Sequence, residues 1–363
     1  MALGERSRWR SLQRARRRIG EKQMQKINLL GYKISHLKKV FVENEFSALD
    51  AKKVFSWIHK KLAKNFDEMS DISLATREKL KEKFSLSRGK CVTLLSSKDG
   101  TKKALLEFDD GNRIETVFIP DEKRSTICVS SQVGCAMGCK FCHTGTQGFI
   151  RNLTSAEIIA QVIFWKDQFP ISNIVFMGMG EPLLNFENLF ESLSILLGAH
   201  NFSRNKITVS TCGIIEDQLH ELAKFGVKLA VSLHAPNDEI RSSLMPINRK
   251  YNIKKILEAT KKYQSESNTE KITFEYLLLK DVNDSAENSK QLIKLLRNFP
   301  AKVNLIVYND WPDSIFKGTN REKANSFSIN LIKHGLRAVI RKSRGDDIFA
   351  ACGQLKSVEN RYK

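Results

Sequence analysis

The sequence has no apolar run near the roughly 18 residues that a membrane span needs, and no apolar block follows its charged start. Neither a membrane anchor nor a secretory signal is therefore expected, and a cytoplasmic location is. Cysteine is scarce: seven in 363 residues, an odd number, and thinly spread except at one place. That excludes a disulfide framework and favours reduced thiols kept for metal or redox chemistry. Acidic side chains are also short, 40 Asp and Glu against 60 Lys and Arg, which leaves a formal charge of +20. Such a field favours a polyanionic partner, nucleic acid first. No repeat of fixed period is present, and no low-complexity segment beyond the N-terminal arm. What remains is ordinary for a globular enzyme, with 41% hydrophobic residues.

Residues 1–26 carry nine Lys or Arg against two Glu, and the rest of the chain still holds about +13 without them. This stretch reads as a disordered basic arm, with an organelle transit peptide or an over-extended start as alternatives. Over 27–88 the pattern is helical: Val54, Phe55, Ile58 and Leu62 recur at helical spacing among lysines, giving a small basic accessory domain suited to RNA. A β extension is expected over 89–122, from alternating segments near 91–96, 103–108 and 114–119, the last two joined by "DDGN", a hairpin signal. From 123 to 356, strand-like runs starting at 126, 173, 206, 228, 272 and 303 alternate with helical ones. Thr154 and Glu157 have capping-box spacing at the start of the first of these helices. Six such units imply parallel strands joined by right-handed crossovers, hence an α/β class and an open, partial (β/α)6 barrel whose reactive face lies at the strand ends. Residues 357–363 form a short tail.

"CAMGCKFC" places Cys135, Cys139 and Cys142 within eight positions. Random placement would yield this pattern about 0.003 times per chain. Three thiolates on one loop suit either zinc, with His143 or Cys128 as a fourth ligand, or an iron–sulfur cluster with one iron left open. The loop follows the first strand of the α/β region, which favours chemistry over scaffolding. "GMGEP" at 178–182 follows the second strand, and its glycines permit close backbone approach. Ser210, Ser232, Leu233, His234 and Asn309 end later strands. Strand alternation sets Glu115 on one face with Val117 and Ile119, where a carboxylate would be raised in pKa and suited to accept a proton.

The spacing Cys-x3-Cys-x-Phe-Cys resembles the signature of radical S-adenosylmethionine enzymes. The wider stretch "CVSSQVGCAMGCKFCHTGTQGFIRNLTSAEI", with "FMGMGEPLLN", "SLHAPNDEIRSSLMPINRKY", "LKDVNDS" and "DIFAACGQL", is similar to the RlmN/Cfr family of RNA adenine methyltransferases over about residues 27–356. The resemblance implies one four-iron four-sulfur cluster on Cys135, Cys139 and Cys142, and two S-adenosylmethionine molecules per turnover. It implies that Gly180, Glu181, Ser210, Ser232, Leu233, His234 and Asn309 contact S-adenosylmethionine. It further implies that Cys352 is first methylated and then, after loss of a hydrogen atom from that methyl, joins carbon-2 of an adenine. Cys128 would then attack the Cys352 sulfur, leaving a disulfide and free RNA, while Glu115 takes the proton from the adenine carbon. The implied substrates are ribosomal and transfer RNA, served by an external electron donor and a disulfide reductant, and a monomer is expected. Alternatives are the Cfr-type reaction at carbon-8, against which Val133 and Gln147-Gly148-Phe149 speak, and a non-catalytic zinc-containing RNA-binding protein. Family usage places Pro soon after the equivalent of Asn309, whereas Asp310 and Trp311 come first here. Cys91 and Cys212 match no family position and read as packing residues.

Overall fold

The computed structural model describes residues 26–214, 217–267 and 272–356. All of the 1–26 arm except Lys26, and the tail over 357–363, lie outside the described residues, so the readings made of them do too.

One ten-stranded sheet dominates. Three antiparallel strands, β3 (Lys90–Ser96), β4 (Lys102–Glu107) and β5 (Arg113–Asp121), lead into β6 (Arg124–Cys128). From β6 the sheet runs parallel through β9 (Asn173–Phe176), β10 (Ile207–Thr211), β11 (Lys228–Ser232), β12 (Ile272–Leu278), β13 (Ala301–Val307) and β14 (Arg337–Arg341). The three-stranded segment is thus continuous with the main sheet through the β5–β6 pairing, Val117 opposite Cys128. Its hairpin turns where "DDGN" lies, with Gly111 at φ +79°. Parallel strands number seven, one more than the six read from sequence. The addition is β14, "RAVIR", whose charged ends hide a strand; Arg341 lines the cavity near Cys352, Glu275 and Cys128.

β14 and β3 are the two ends of the sheet, so the barrel is open. Seven flat strands would spread over roughly 29 Å at about 4.8 Å each. All seven nevertheless line one cavity of about 700 Å³, which requires the sheet to curl around it. The helices between strands close the outer face. The first, α4 (Ser155–Lys166), begins with the Thr154–Glu157 capping box and buries Ile158, Ile159, Val162 and Trp165. The next is α5 (Phe186–Gly198).

Residues 27–88 form the helices α1 (Ile34–Glu43), α2 (Ala48–His59) and α3 (Leu74–Lys83), with β1 (Ile27–Asn28) paired to β2 (Phe84–Ser85). They dock on α4 and α5. Ser155 Oγ donates to the Gly31 carbonyl at 2.8 Å, and Gly31 comes so close that a Cβ there would lie 2.4 Å from the Ala156 nitrogen. Glu191 pairs with both Lys33 and His36. Behind them Lys166 Nζ donates to His200 Nδ1 at 3.0 Å, so His200 must donate from Nε2 to His59 Nδ1 at 3.3 Å.

Candidate active site

The cysteine loop is the loop of a small hairpin. β7 (Gln132–Gly134) pairs antiparallel with β8 (Phe149–Asn152), and Cys135 N–H donates to the Gly148 carbonyl at 2.8 Å. Gly134 is obligatory at this closure: its φ is +73°, and a Cβ would lie 1.9 Å from that carbonyl. The ribbon presents Cys135, Cys139 and Cys142, all half-buried, to the cavity at the C-terminal ends of the strands. Burial raises all three thiols, Cys135 to about 12, and the neighbouring thiols push the same way.

These residues fit an iron–sulfur cluster better than a single zinc ion. Among the described residues no three His, Cys, Asp or Glu side chains are arranged to hold one metal ion. A cubane offers separate corners, so its ligands need not converge on a point. Neither fourth zinc ligand considered from sequence is gathered with the three thiols around one point. The His143 ring stacks on Trp311, centroids 4.4 Å apart, and Cys128 ends β6 beside Cys352. Thiols this reluctant to ionise lose their protons to a bound metal centre, which stabilises the thiolate directly.

Opposite the loop, the strand ends carry most of the residues singled out from sequence. Gly180, Glu181, Ser210, Ser232, His234 and Asn309 line the cavity. Gly180, at φ +98°, packs so tightly on Gln132 that a Cβ would lie 2.5 Å from the Gln132 Cβ. Its glycine is therefore demanded by protein packing as well as by any ligand. Glu181 is buried; its Oε2 accepts from Cys212 N–H at 2.7 Å and its Oε1 from Leu183 N–H at 3.1 Å. Desolvation raises this carboxyl, opposed by those donors. Leu233 is fully buried and lies outside the cavity lining. His234 sits at φ +54°, accepts Leu277 N–H at Nδ1, and meets the Phe141 ring edge-on at 4.9 Å. Burial, with Arg241 adding, lowers its pKa to about 3, so the ring is neutral with its proton on Nε2. Ser343 Oγ donates to Asn309 Oδ1 at 2.7 Å.

The two further thiols converge on the same cavity. Cys128 closes β6, and Cys352 occupies the second position of a turn from Ala351 to Gln354, with Gly353 at φ +82°. Burial pushes Cys128 up to about 12, the Cys352 thiol adds to that rise, and Arg341 opposes it. Glu115 is fully buried outside the cavity lining. Its Oε1 pairs with Lys103 Nζ at 2.9 Å, and its Oε2 accepts Lys356 N–H at 2.8 Å.

Sequence reasoning missed several residues of this site. Arg241 is wholly buried and donates to the carbonyls of Cys212, Ser232 and Leu233, fastening the ends of β10 and β11. Glu275 reaches the cavity from β12; its Oε1 accepts from Asn304, while no hydrogen-bond partner is present for its buried Oε2. Trp311 stacks on His143 of the cysteine loop, and Cys212, read as packing, lines the cavity beside Glu181. The "SLH…R" spacing carried a signal for Arg241; Glu275 left none, being one charged residue within an apolar run.

The radical SAM superfamily model matches residues 129–293, and the model for the ribosomal RNA large subunit methyltransferase N-terminal domain matches 27–86. A dual-specificity RNA methyltransferase RlmN of Francisella tularensis subsp. novicida is 45% identical over 348 residues, covering 92% of this chain and 93% of its own. One from Roseobacter denitrificans is 42% identical over 357 residues, covering 93% and 91%. The crystal structure of a radical SAM methyltransferase from Sphaerobacter thermophilus superposes with a TM-score of 0.87 at 40% identity, covering 92% of this chain and all of that one. With both family models matched in order and the likeness running through the accessory helices and the barrel alike, the chain belongs to the RlmN family of the radical SAM superfamily.

Proposed function

We propose that this chain methylates carbon-2 of adenine in large-subunit ribosomal RNA and in tRNA beside the anticodon, using Cys352 as a methyl carrier. The observation that carries this reading is that Cys135, Cys139, Cys142, Cys128 and Cys352 are five of the six thiols that line a single cavity at the strand ends. A four-iron four-sulfur cluster on the first three would supply the electron that splits one S-adenosylmethionine, whose fragment removes a hydrogen atom from a methyl on Cys352. Glu181, Ser210, Ser232, His234 and Asn309 line the wall on which the cosubstrate would lie. Leu233 lies buried behind that wall and outside the cavity lining, its N–H donating to the Glu275 carbonyl and its own carbonyl held by Arg241.

Cys352 takes its methyl from a first S-adenosylmethionine by displacement at carbon, releasing the thioether. After the methylene has joined the adenine, the radical adduct gives up its unpaired electron, which the cluster would take back, and the proton of the adenine carbon; Cys128, as thiolate, then attacks the Cys352 sulfur. The new S–S bond forms as the sulfur–methylene bond breaks, and that electron pair passes to the adenine adduct and is then protonated. An external dithiol restores both cysteines, and an external one-electron donor serves the cluster. Glu115 is the proton acceptor in this reading, and to act it must give up Lys103 or the Lys356 N–H.

Lys60, Lys61 and Lys64 after α2, and Lys254, Lys255, Lys261 and Lys262 on the helix Ile253–Ser267, are solvent-facing and suit phosphate contacts that position RNA without reading sequence. No helix among the described residues is long and apolar enough to cross a membrane.

The test is the pair Cys128→Ala and Cys352→Ala with RNA, reductant and S-adenosylmethionine. The first is expected to accumulate a covalent protein–RNA adduct, the second to take no methyl and trap no RNA. Nucleoside mass spectrometry against 2-methyl and 8-methyl standards fixes the carbon. Product from the Cys352 variant equal to that of the parent would reject the carrier.

A further inference from the structure

Lys103 and Glu115 form a buried ion pair in the antiparallel part of the sheet, with side chains 2% and 0% exposed. They lie diagonally across the β4–β5 ladder, since Leu105 faces Glu115 and Lys103 faces Val117. Buried ion pairs give little stability over apolar packing of the same shape, because desolvation offsets the attraction. This pair does something an apolar pair could not. Lys103 Nζ donates to the Phe349 carbonyl at 3.0 Å, and Glu115 Oε2 accepts the Lys356 N–H at 2.8 Å. Those two backbone groups flank the Cys352 turn, one on each side in the chain.

The turn is held from its other side by the cysteine loop. His143 N–H donates to the Gly353 carbonyl at 2.7 Å, and Thr144 Oγ1 donates to the Leu355 carbonyl at 2.7 Å. Gln354 Nε2 reaches the Asp310 carbonyl at 2.7 Å. Cys352 is therefore suspended between the cysteine loop, which contacts the turn itself, and the ion pair, which contacts both of its stems.

We propose that Lys103, acting through Glu115 and Phe349, is a positioning residue for Cys352, fixing the two stems of its turn so that the thiol faces the cosubstrate in one orientation. The proposal rests on the reading of Cys352 as the methyl carrier. A thiol that must meet a methyl donor, an adenine and then Cys128 needs fixed stems with a short free tip, and this pair supplies them.

The test uses the full chain with its cluster reconstituted and three variants: Lys103→Met, Lys103→Arg, and the double Lys103→Met/Glu115→Gln, which leaves no lone buried charge. Alkylation of Cys352 by iodoacetamide, followed by peptide mass spectrometry, is expected to quicken at least fivefold in Lys103→Met and in the double variant. Methyl transfer from S-adenosylmethionine to Cys352 is expected to slow at least tenfold in both, with KM for S-adenosylmethionine changed less than twofold. Lys103→Arg is expected to recover a substantial part of each. A double variant that melts as the parent does, yet alkylates and methylates Cys352 at parental rates, overturns the proposal. So does a change in KM with no change in alkylation. If the parent itself places no methyl on Cys352, the carrier reading fails, while the alkylation comparison still decides whether Lys103 holds the turn.

Discussion

The indole of Trp311 donates its Nε1–H to the carbonyl of Phe141 at 3.1 Å, and its ring lies flat on His143, so the segment after β13 is bolted to the cysteine loop. Trp311→Phe keeps an aromatic ring and removes the donor, leaving the Phe141 carbonyl without this partner. The reconstituted protein should fold normally but lose iron to a chelator several-fold faster, measured by loss of the cluster's visible absorbance. Unchanged iron release would show that this bond does not steady the loop.

The resolving step should depend on pH through Cys128. Burial holds this thiol up at about 12, so at neutral pH only a minute fraction is thiolate. Deprotonation increases as pH rises toward that value. The rate of adduct resolution, followed by single-turnover RNA release, should climb by up to about tenfold per pH unit between 7 and 9. A plateau beginning near pH 8.5 would mean that Cys128 titrates as an ordinary exposed thiol.

Arg241→Met should be among the most damaging single changes in the barrel. It strips a donor from the carbonyls of Cys212, Ser232 and Leu233 at once, and from Asn248. Losing buried charge-assisted bonds of this kind costs about 3 kcal/mol or more. Chemical denaturation should register that loss, and KM for S-adenosylmethionine should rise because the Ser232–His234 segment is no longer fixed. A variant as stable as the parent would sever this link between carbonyl pinning and cosubstrate binding.

Buried His59 and His234, with half-buried His200 packed between His59 and Lys166, make the protein sensitive to mild acid. Burial lowers His59 and His234 to about 3 and His200 to about 2, with Lys166 adding for the first and third. Their folded values lie below the unfolded value of about 6.5, so the unfolded chain binds more protons between the two. Stability is therefore lost as pH falls below about 6.5, by up to about 1.4 kcal/mol per pH unit for each such histidine. Urea unfolding from pH 7.5 to 4.5 should show a shallower loss in His200→Gln than in the parent. Parallel curves would exclude His200 from the acid response.

Local patterns in the chain disclose the parts of this structure that rest on local rules. The capping box at Thr154, the DDGN turn and the three-cysteine spacing depend on residues a few positions apart, and each is found where its spacing put it. β14 escaped because it is only five residues long and begins and ends on arginine, Arg341 lining the cavity beside Val339 and Ile340, so no clear apolar alternation marks it. The setting of Glu115 escaped in another way. Alternation gives the face of a strand, but its partner Lys103 lies on a neighbouring strand, and Lys356 is 241 residues away. Arg241 and Trp311 belong to the same class, since what they hold together is distant in sequence.

The sheet stops at β14 on one side and β3 on the other, so its wall has a seam. That seam is spanned by the segment after β14, where Arg344 pairs with Asp121, Gly345 N–H donates to Asp99 and Lys103 holds the Phe349 carbonyl. This side of the wall is therefore joined by individual side-chain contacts instead of a backbone ladder, and parting it would cost no sheet hydrogen bond.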